Sequence, residues 1–159
     1  MKSFKTLLFV TTAAAALTIT SFVVPAGSVQ TSSFTDKYWL LQSSSVVPAV
    51  DLSGDGKPDD NLFAMMEDCL KDDAEMFKTG GKTFRHNGKI KCDEEAPIEE
   101  ESGTWRYNAA TKQLTVHHSD TEKPQTATVK EVSANRMVVT YEFTSNKGKH
   151  LITAIFKTK

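Results

Sequence analysis

The chain has no surplus of charge of either sign. Its 19 lysines and arginines stand against 20 acids, a formal net charge of −1, so nothing in it neutralises a run of phosphates and nucleic acid is set aside as a partner. Glycine and proline are scarce, at eight and five of 159 residues, which excludes a collagen-like chain or a low-complexity linker. No Gly-x-Ser-x-Gly nucleophile turn, phosphate-binding glycine loop or His-Glu-x-x-His helix occurs. The best-marked hydrolase, nucleotide-binding and metalloprotease classes go with them. Catalytic groups can still assemble from distant positions, so an enzyme stays as a third reading, to be revived if His117 or His118 clusters with Asp and Glu in a cleft. What is present, 39% apolar and 25% charged residues, suffices for one domain and is too short for two of any size.

One apolar run stands apart. Lys2 and Lys5 precede Thr6 to Val24, which carries Leu7, Leu8, Phe9, Val10, four alanines, Leu17, Ile19, Phe22 and Val23 before Pro25. A positive head, an apolar core and small residues at Val24 and Ala26 read as a secretory signal peptide over residues 1–26. A permanent membrane anchor is the alternative, but Thr11, Thr12, Thr18, Thr20 and Ser21 dilute the run. No cysteine follows its core, which excludes a lipoprotein anchor there. The expectation is a secreted or periplasmic protein without a permanent membrane anchor. A flexible leader over 27–35, small and polar, then leads into one domain over 36–159.

Both cysteines, Cys69 and Cys92, lie in that domain. An even count in an oxidising compartment most simply means one disulfide. The alternatives are a cysteine metal site, which needs more ligands than two thiolates, and two free buried thiols.

The domain begins with a strand candidate at residues 37–42. Leu62, Phe63, Met65, Met66 and Leu70 then recur at helical spacing, with Asp59, Asp60 or Asn61 able to cap a short helix. Beyond it the apolar period changes to two. Residues 73–78, 82–87, 103–108, 112–118, 125–132, 135–143 and 149–157 are strand-like runs separated by turn chemistry at Thr79-Gly80-Gly81, Asn87-Gly88 and Ser145 to Gly148, among others. Trp105 and Tyr107 share one face; so do Leu114 and Val116, and so do Met137, Val139, Tyr141 and Phe143. Eight strands joined by short turns make an antiparallel meander, since parallel strands need longer crossovers. Eight is also a number that closes a barrel. The predicted fold is all-β, a small eight-stranded meander barrel or half-barrel with one short helix, and a two-sheet sandwich is the main rival. The last strand is apolar on both faces, and the 62–70 helix is the candidate cover for its outside.

The order of Trp39-Leu40-Leu41, an Asp/Gly-rich loop, Asp68-Cys69-Leu70-Lys71-Asp72-Asp73, Phe77 before a glycine turn, Cys92 and Gly103-Thr104-Trp105 resembles the lipocalin-like domain of exported proteins from Bacteroidetes-type bacteria. The similarity spans most of residues 36–157. It implies a small antiparallel barrel, a binding role toward an undefined small apolar molecule, and no established chemistry. The sequence departs from the wider lipocalin pattern in having Lys37-Tyr38 before Trp39, and Lys157 rather than an arginine at the end of the last strand.

Two constellations carry candidate sites. The inward set Trp105, Tyr107, Leu114, Val116, Met137, Val139, Tyr141 and Phe143 would line a pocket for a small hydrophobic or amphipathic ligand, although an eight-stranded barrel can equally be filled by such side chains. The loop from Asp51 sets oxygen ligands at calcium-loop spacing: Asp51, Ser53, Asp55, the Lys57 carbonyl and Asp59, with Gly56 at the sharp turn and Asp60 as a substitute for the absent closing glutamate. Closely packed carboxylates repel one another without a cation, which is the reason to suspect Ca2+; no cofactor is required. An acidic turn with nothing bound is the plain alternative. His117 and His118, adjacent on a strand, point to opposite faces and cannot chelate one metal together. Non-enzymatic ligand binding is the leading function. A filled, calcium-stiffened structural or protein-interaction module of the cell envelope is the competing one.

Overall fold

The computed structural model describes residues 32–159. The signal peptide expected over 1–26, and the expected leader as far as Thr31, lie outside the described residues. Nine strands form one antiparallel sheet: β1 (Tyr38–Val50), β2 (Asp59–Asn61), β3 (Ala74–Lys78), β4 (Lys82–His86), β5 (Glu99–Asn108), β6 (Gln113–His118), β7 (Gln125–Val132), β8 (Arg136–Ser145) and β9 (Gly148–Thr158). From β3 to β9 each strand pairs with the next. The sheet closes because β1 takes β3 on one edge, at Tyr38–Leu40, and β9 on the other, from Trp39 to Val47. β1 and β3–β9 are therefore an eight-stranded barrel, and β2 is a short flap on the far half of β1. Closure leaves no free edge along the barrel wall and rules out both the half-barrel and the sandwich.

The alternation of two sets the wall. Across β5–β6, Trp105 faces Val116 and Tyr107 faces Leu114; across β8–β9, Met137 faces Phe156 and Val139 faces Ala154. Register is adjusted by bulges in β1 after Leu41 and opposite Thr83–Phe84. At the second of these Gly103 takes φ +153°, and a Cβ there would lie 2.1 Å from the His117 carbonyl oxygen. No side chain fits without moving the β5–β6 backbone.

The core is in two parts. Phe34, Trp39, Phe77, Trp105, Leu114, Met137 and Val139 fill one end, while Val46, Val50 and Ile152 form a second cluster toward the other. The plug at the first end is Phe34, only 1% exposed, with its ring 5.2–5.6 Å from those of Phe77, Trp105 and Tyr107. The Trp39 indole N–H donates to the Phe34 carbonyl at 2.8 Å, and the Asp36 amide donates to the Phe77 carbonyl. Ser32 to Thr35 are thus not part of a mobile leader. The polar composition of residues 27–35 hides one aromatic ring that the barrel end needs. Lys37 supplies the cation beside the tryptophan, its Nζ 5.5 Å from the Trp39 ring centroid and donating to the Ala134 carbonyl.

The single expected helix over 62–70 is two short ones, α1 (Leu62–Met65) and α2 (Asp68–Lys71). Asn61 caps α1, its side-chain oxygen accepting from the Ala64 amide at 3.1 Å. Met66 and Glu67 are extended, with ψ 146° each. Neither helix contains a buried residue, and a short helix without a buried face has little to sustain it. Leu62 packs on the Val46, Val50 and Ile152 cluster and leaves Leu151 of β9 42% exposed. The helix therefore does not cover the outside of the last strand. Cys69 and Cys92 form a disulfide across 23 positions, tying α2 to the β4–β5 connection.

Candidate functional site

Between the two core clusters the barrel is hollow. A cavity of about 190 Å³ is walled by side chains of β1, β3 and β6–β9, among them Leu41, Phe77, Val116, Val139 and Phe156. It exists because small residues occupy wall positions: Ser44, Ala127 and Ala154 all border it, where larger side chains would meet across the interior. Of the eight residues expected to line a pocket, Leu114, Val116, Met137, Val139 and Tyr141 do so. Trp105 and Tyr107 pack instead around Phe34. Phe143 belongs to the second cluster, where it stacks on His150 with centroids 4.8 Å apart.

Two polar residues outside that set also border the cavity. Glu75 and His118 place Oε1 and Nδ1 3.5 Å apart. That is beyond good hydrogen-bond length, and both atoms are buried with no hydrogen-bond partner. Burial pushes the Glu75 carboxyl from its ordinary 4.5 up to about 7, against the opposing pull of the Arg85 guanidinium. Burial, with Arg85 second, lowers His118, while Asp120 acts the other way. Arg85 is the cross-strand partner of Glu75, yet its nearest carboxylate is that of Asp120, at 3.9 Å. Glu75 therefore has no counter-charge in contact. Burial also raises the Tyr141 phenol.

His118 was legible in principle, since it continues the parity of Leu114 and Val116. Glu75 was not marked by its own segment: it stands between buried Ala74 and Met76, and only its pairing with Trp39 turns it inward. A histidine and a carboxylic acid are acid/base groups, and Ser44 lines the same cavity. Its hydroxyl, however, makes no hydrogen bond to the His118 Nδ1, which has no partner, so these two are not joined as a nucleophile and its base.

The Asp51–Asp60 loop is organised around its own amides. Asp51 accepts from Gly54 at 2.7 Å and from Gly56 at 3.0 Å, and Asp55 accepts from Lys57 at 2.8 Å. Asp59 accepts from Leu52 and Ser53 at 2.9 and 3.0 Å, and the Ser53 and Leu52 amides, in that order, hold its carboxyl below the usual range. No three of Asp51, Asp55, Asp59 and Asp60 bring carboxylate oxygens within 4.8 Å of one another. The carboxylates at calcium-ligand spacing each accept from amides of their own loop. Glu67, Cys69 and Cys92 do converge, but both sulfurs are in the disulfide. The histidines are dispersed: His117 Nε2 lies 3.0 Å from the Thr121 carbonyl, while His150 contacts Ser145 and the Pro48 carbonyl.

No helix among the described residues is long and apolar enough to cross a membrane. No curated protein and no solved structure matches the chain. The model of a family described as a lipocalin-like domain matches residues 35–139, well over half of the sequence, from just after the Phe34 plug into β8. Closed barrel, hollow interior and family match agree, and the chain belongs to the lipocalin-like domain family.

Proposed function

We propose that this domain binds a small hydrophobic or amphipathic molecule inside its barrel by non-covalent burial, without chemistry, as an exported protein of the bacterial envelope or its surroundings. The observation that carries the reading is the cavity. An enclosed apolar cavity of about 150 Å³ takes up a molecule the size of benzene; this one, at about 190 Å³, has comparable room behind a mainly apolar wall and opens to solvent past Gln125 and Thr126. Its volume limits the apolar body to about one ring or a short chain. The disulfide and the apolar N-terminal run support export, and the resemblance to Bacteroidetes-type exported proteins is of the same kind. A structural module with a filled barrel would have no use for such a void.

Toluene titrated into the full chain, followed by the broadening of its proton resonances, tests the reading. Saturable binding is expected in the wild type. It should vanish in Ala154→Leu and in Ala127→Leu, either of which places three more carbons in the void. Toluene that fails to bind the wild type, or binds both filled variants equally well, would overturn the assignment of the cavity.

A further inference from the structure

Resting on that reading, we propose that the cavity selects apolar amines: a ring-sized hydrophobic body carrying a protonated amino group that seats between Glu75 and His118. The first argument is the pair of orphan atoms. Oε1 of Glu75 and Nδ1 of His118 lie 3.5 Å apart, buried and unpartnered, at a cavity whose other walls are mainly apolar. An ionised carboxylate oxygen accepts hydrogen bonds, and so does a bare imidazole nitrogen. An ammonium group brings three donors to them.

The second argument is sign. No lysine or arginine lines the cavity, and burial opposes charging His118. Glu75 has His118 from β6 beside it and feels Arg85 from β4, and His118 in turn feels Arg85, Asp120 from the β6–β7 turn and its neighbour His117. Glu100 of β5 stands in register with Arg85, and the bordering part of β1 offers Leu41 and Ser44, which do not titrate. Arg85 is turned to Asp120. A carboxylate or phosphate head would meet Glu75 with no cation in the wall, whereas an ammonium completes an ion pair that the protein leaves open. A hydroxyl satisfies one orphan atom and leaves the charge uncompensated.

Toluene, benzyl alcohol, benzylamine and benzoate share one ring and differ in the head, so titrating each into the full chain at pH 8 separates the cavity from its selectivity. Benzylamine is expected to bind at least tenfold more tightly than toluene or benzyl alcohol, and benzoate most weakly. In Glu75→Gln benzylamine should lose its advantage, so that benzylamine and toluene bind within about twofold of each other. Benzylamine affinity should also rise between pH 6 and pH 8 as Glu75 loses its proton. Toluene binding with no preference for the amine, or a preference that survives Glu75→Gln, would overturn the inference and leave the hollow barrel standing. Failure of all four ligands would remove both.

Discussion

Replacing Glu75 by glutamine should make the empty protein more stable at alkaline pH, an unusual outcome for the loss of a charged group. The carboxyl is raised from 4.5 to about 7 by burial. Between those values the folded chain holds a proton that the unfolded chain has released, so stability declines as pH rises through this window and levels off above it. At 1.36 kcal/mol per unit the ionised state costs about 3 kcal/mol above pH 7. The side chain is 27% exposed, so solvent screening takes only a modest share. His118 acts in the opposite sense: its depressed value means that the unfolded chain gains a proton first as pH falls below 6.5, which destabilises the fold on the acid side. Thermal and urea unfolding of wild type and Glu75→Gln from pH 5 to 8.5 isolates the carboxyl, because His118 is common to both. Near pH 5 the two should differ little. By pH 8.5 the variant should melt about 10 °C higher, at roughly 3–4 °C per kcal/mol for a domain of this size. A constant gap across the range, or a variant that is weaker at pH 8.5, would show that Glu75 is not desolvated as described.

Four further outcomes test other parts of the structure. Reducing the Cys69–Cys92 bridge releases a loop of about 24 residues, worth roughly 3 kcal/mol in the chain-entropy account; the melting point should fall by about 10 °C, and an unchanged curve would remove the bridge as a source of stability. Phe34→Ala should cost about 3–5 kcal/mol in urea unfolding, because the ring is fully enclosed by Phe77, Trp105 and Tyr107, whereas a mobile leader would show no change. Asp51→Ala should speed hydrogen exchange at the Gly54 and Gly56 amides, which it accepts. Melting curves in calcium and in chelator should superpose for a loop closed by its own backbone, and a calcium-dependent rise abolished by Asp55→Ala would instead make the loop a cation site.

The barrel was largely readable because its signal is local and repeated. Strand β7 falls on residues 125–132 as the alternation places it, β3 and β6 begin one residue later than expected, and β9 is one residue longer at each end. β1 is longer than 37–42 because its second half, Ser43 to Val50, is held by β9 and β2, partners that its serine-rich sequence does not announce. The helix divided for the converse reason: helical spacing at Leu62 to Leu70 existed with no face to bury it. The site was half legible. Parity put Leu114, Val116, Met137, Val139 and Tyr141 inside, but it cannot divide an interior lengthwise, so it could not assign Trp105 and Tyr107 to the plug and leave Tyr141 at the void. Phe34 and Glu75 depend on packing between segments remote in sequence, and neither is marked by the residues beside it.

The positions that stabilise this fold and those that shape its cavity are largely separate. Stability is concentrated at the Phe34–Trp39–Trp105 end, where both indole N–H groups find carbonyl partners, along the β1–β9 seam, and at the disulfide. At the void the arrangement runs the other way. Ala127, Ala154 and Ser44 leave dispersion contacts unmade, and two orphan polar atoms each carry a desolvation cost of about 1–3 kcal/mol. An aliphatic residue at 75 and larger ones at 127 and 154 would suit the empty protein better. Two of the three buried orphan atoms among the described residues, those of Glu75 and His118, lie together here and only Asp72 Oδ1 lies elsewhere; the wall's closure does not depend on the pair, so this is a place where a ligand has free energy to gain. A molecule that fills the void and satisfies Glu75 and His118 removes both deficits at once. It should therefore raise the melting point of the wild type more than that of Glu75→Gln, while Phe34→Ala, lying at the plug, lowers the melting point of free and bound protein by similar amounts.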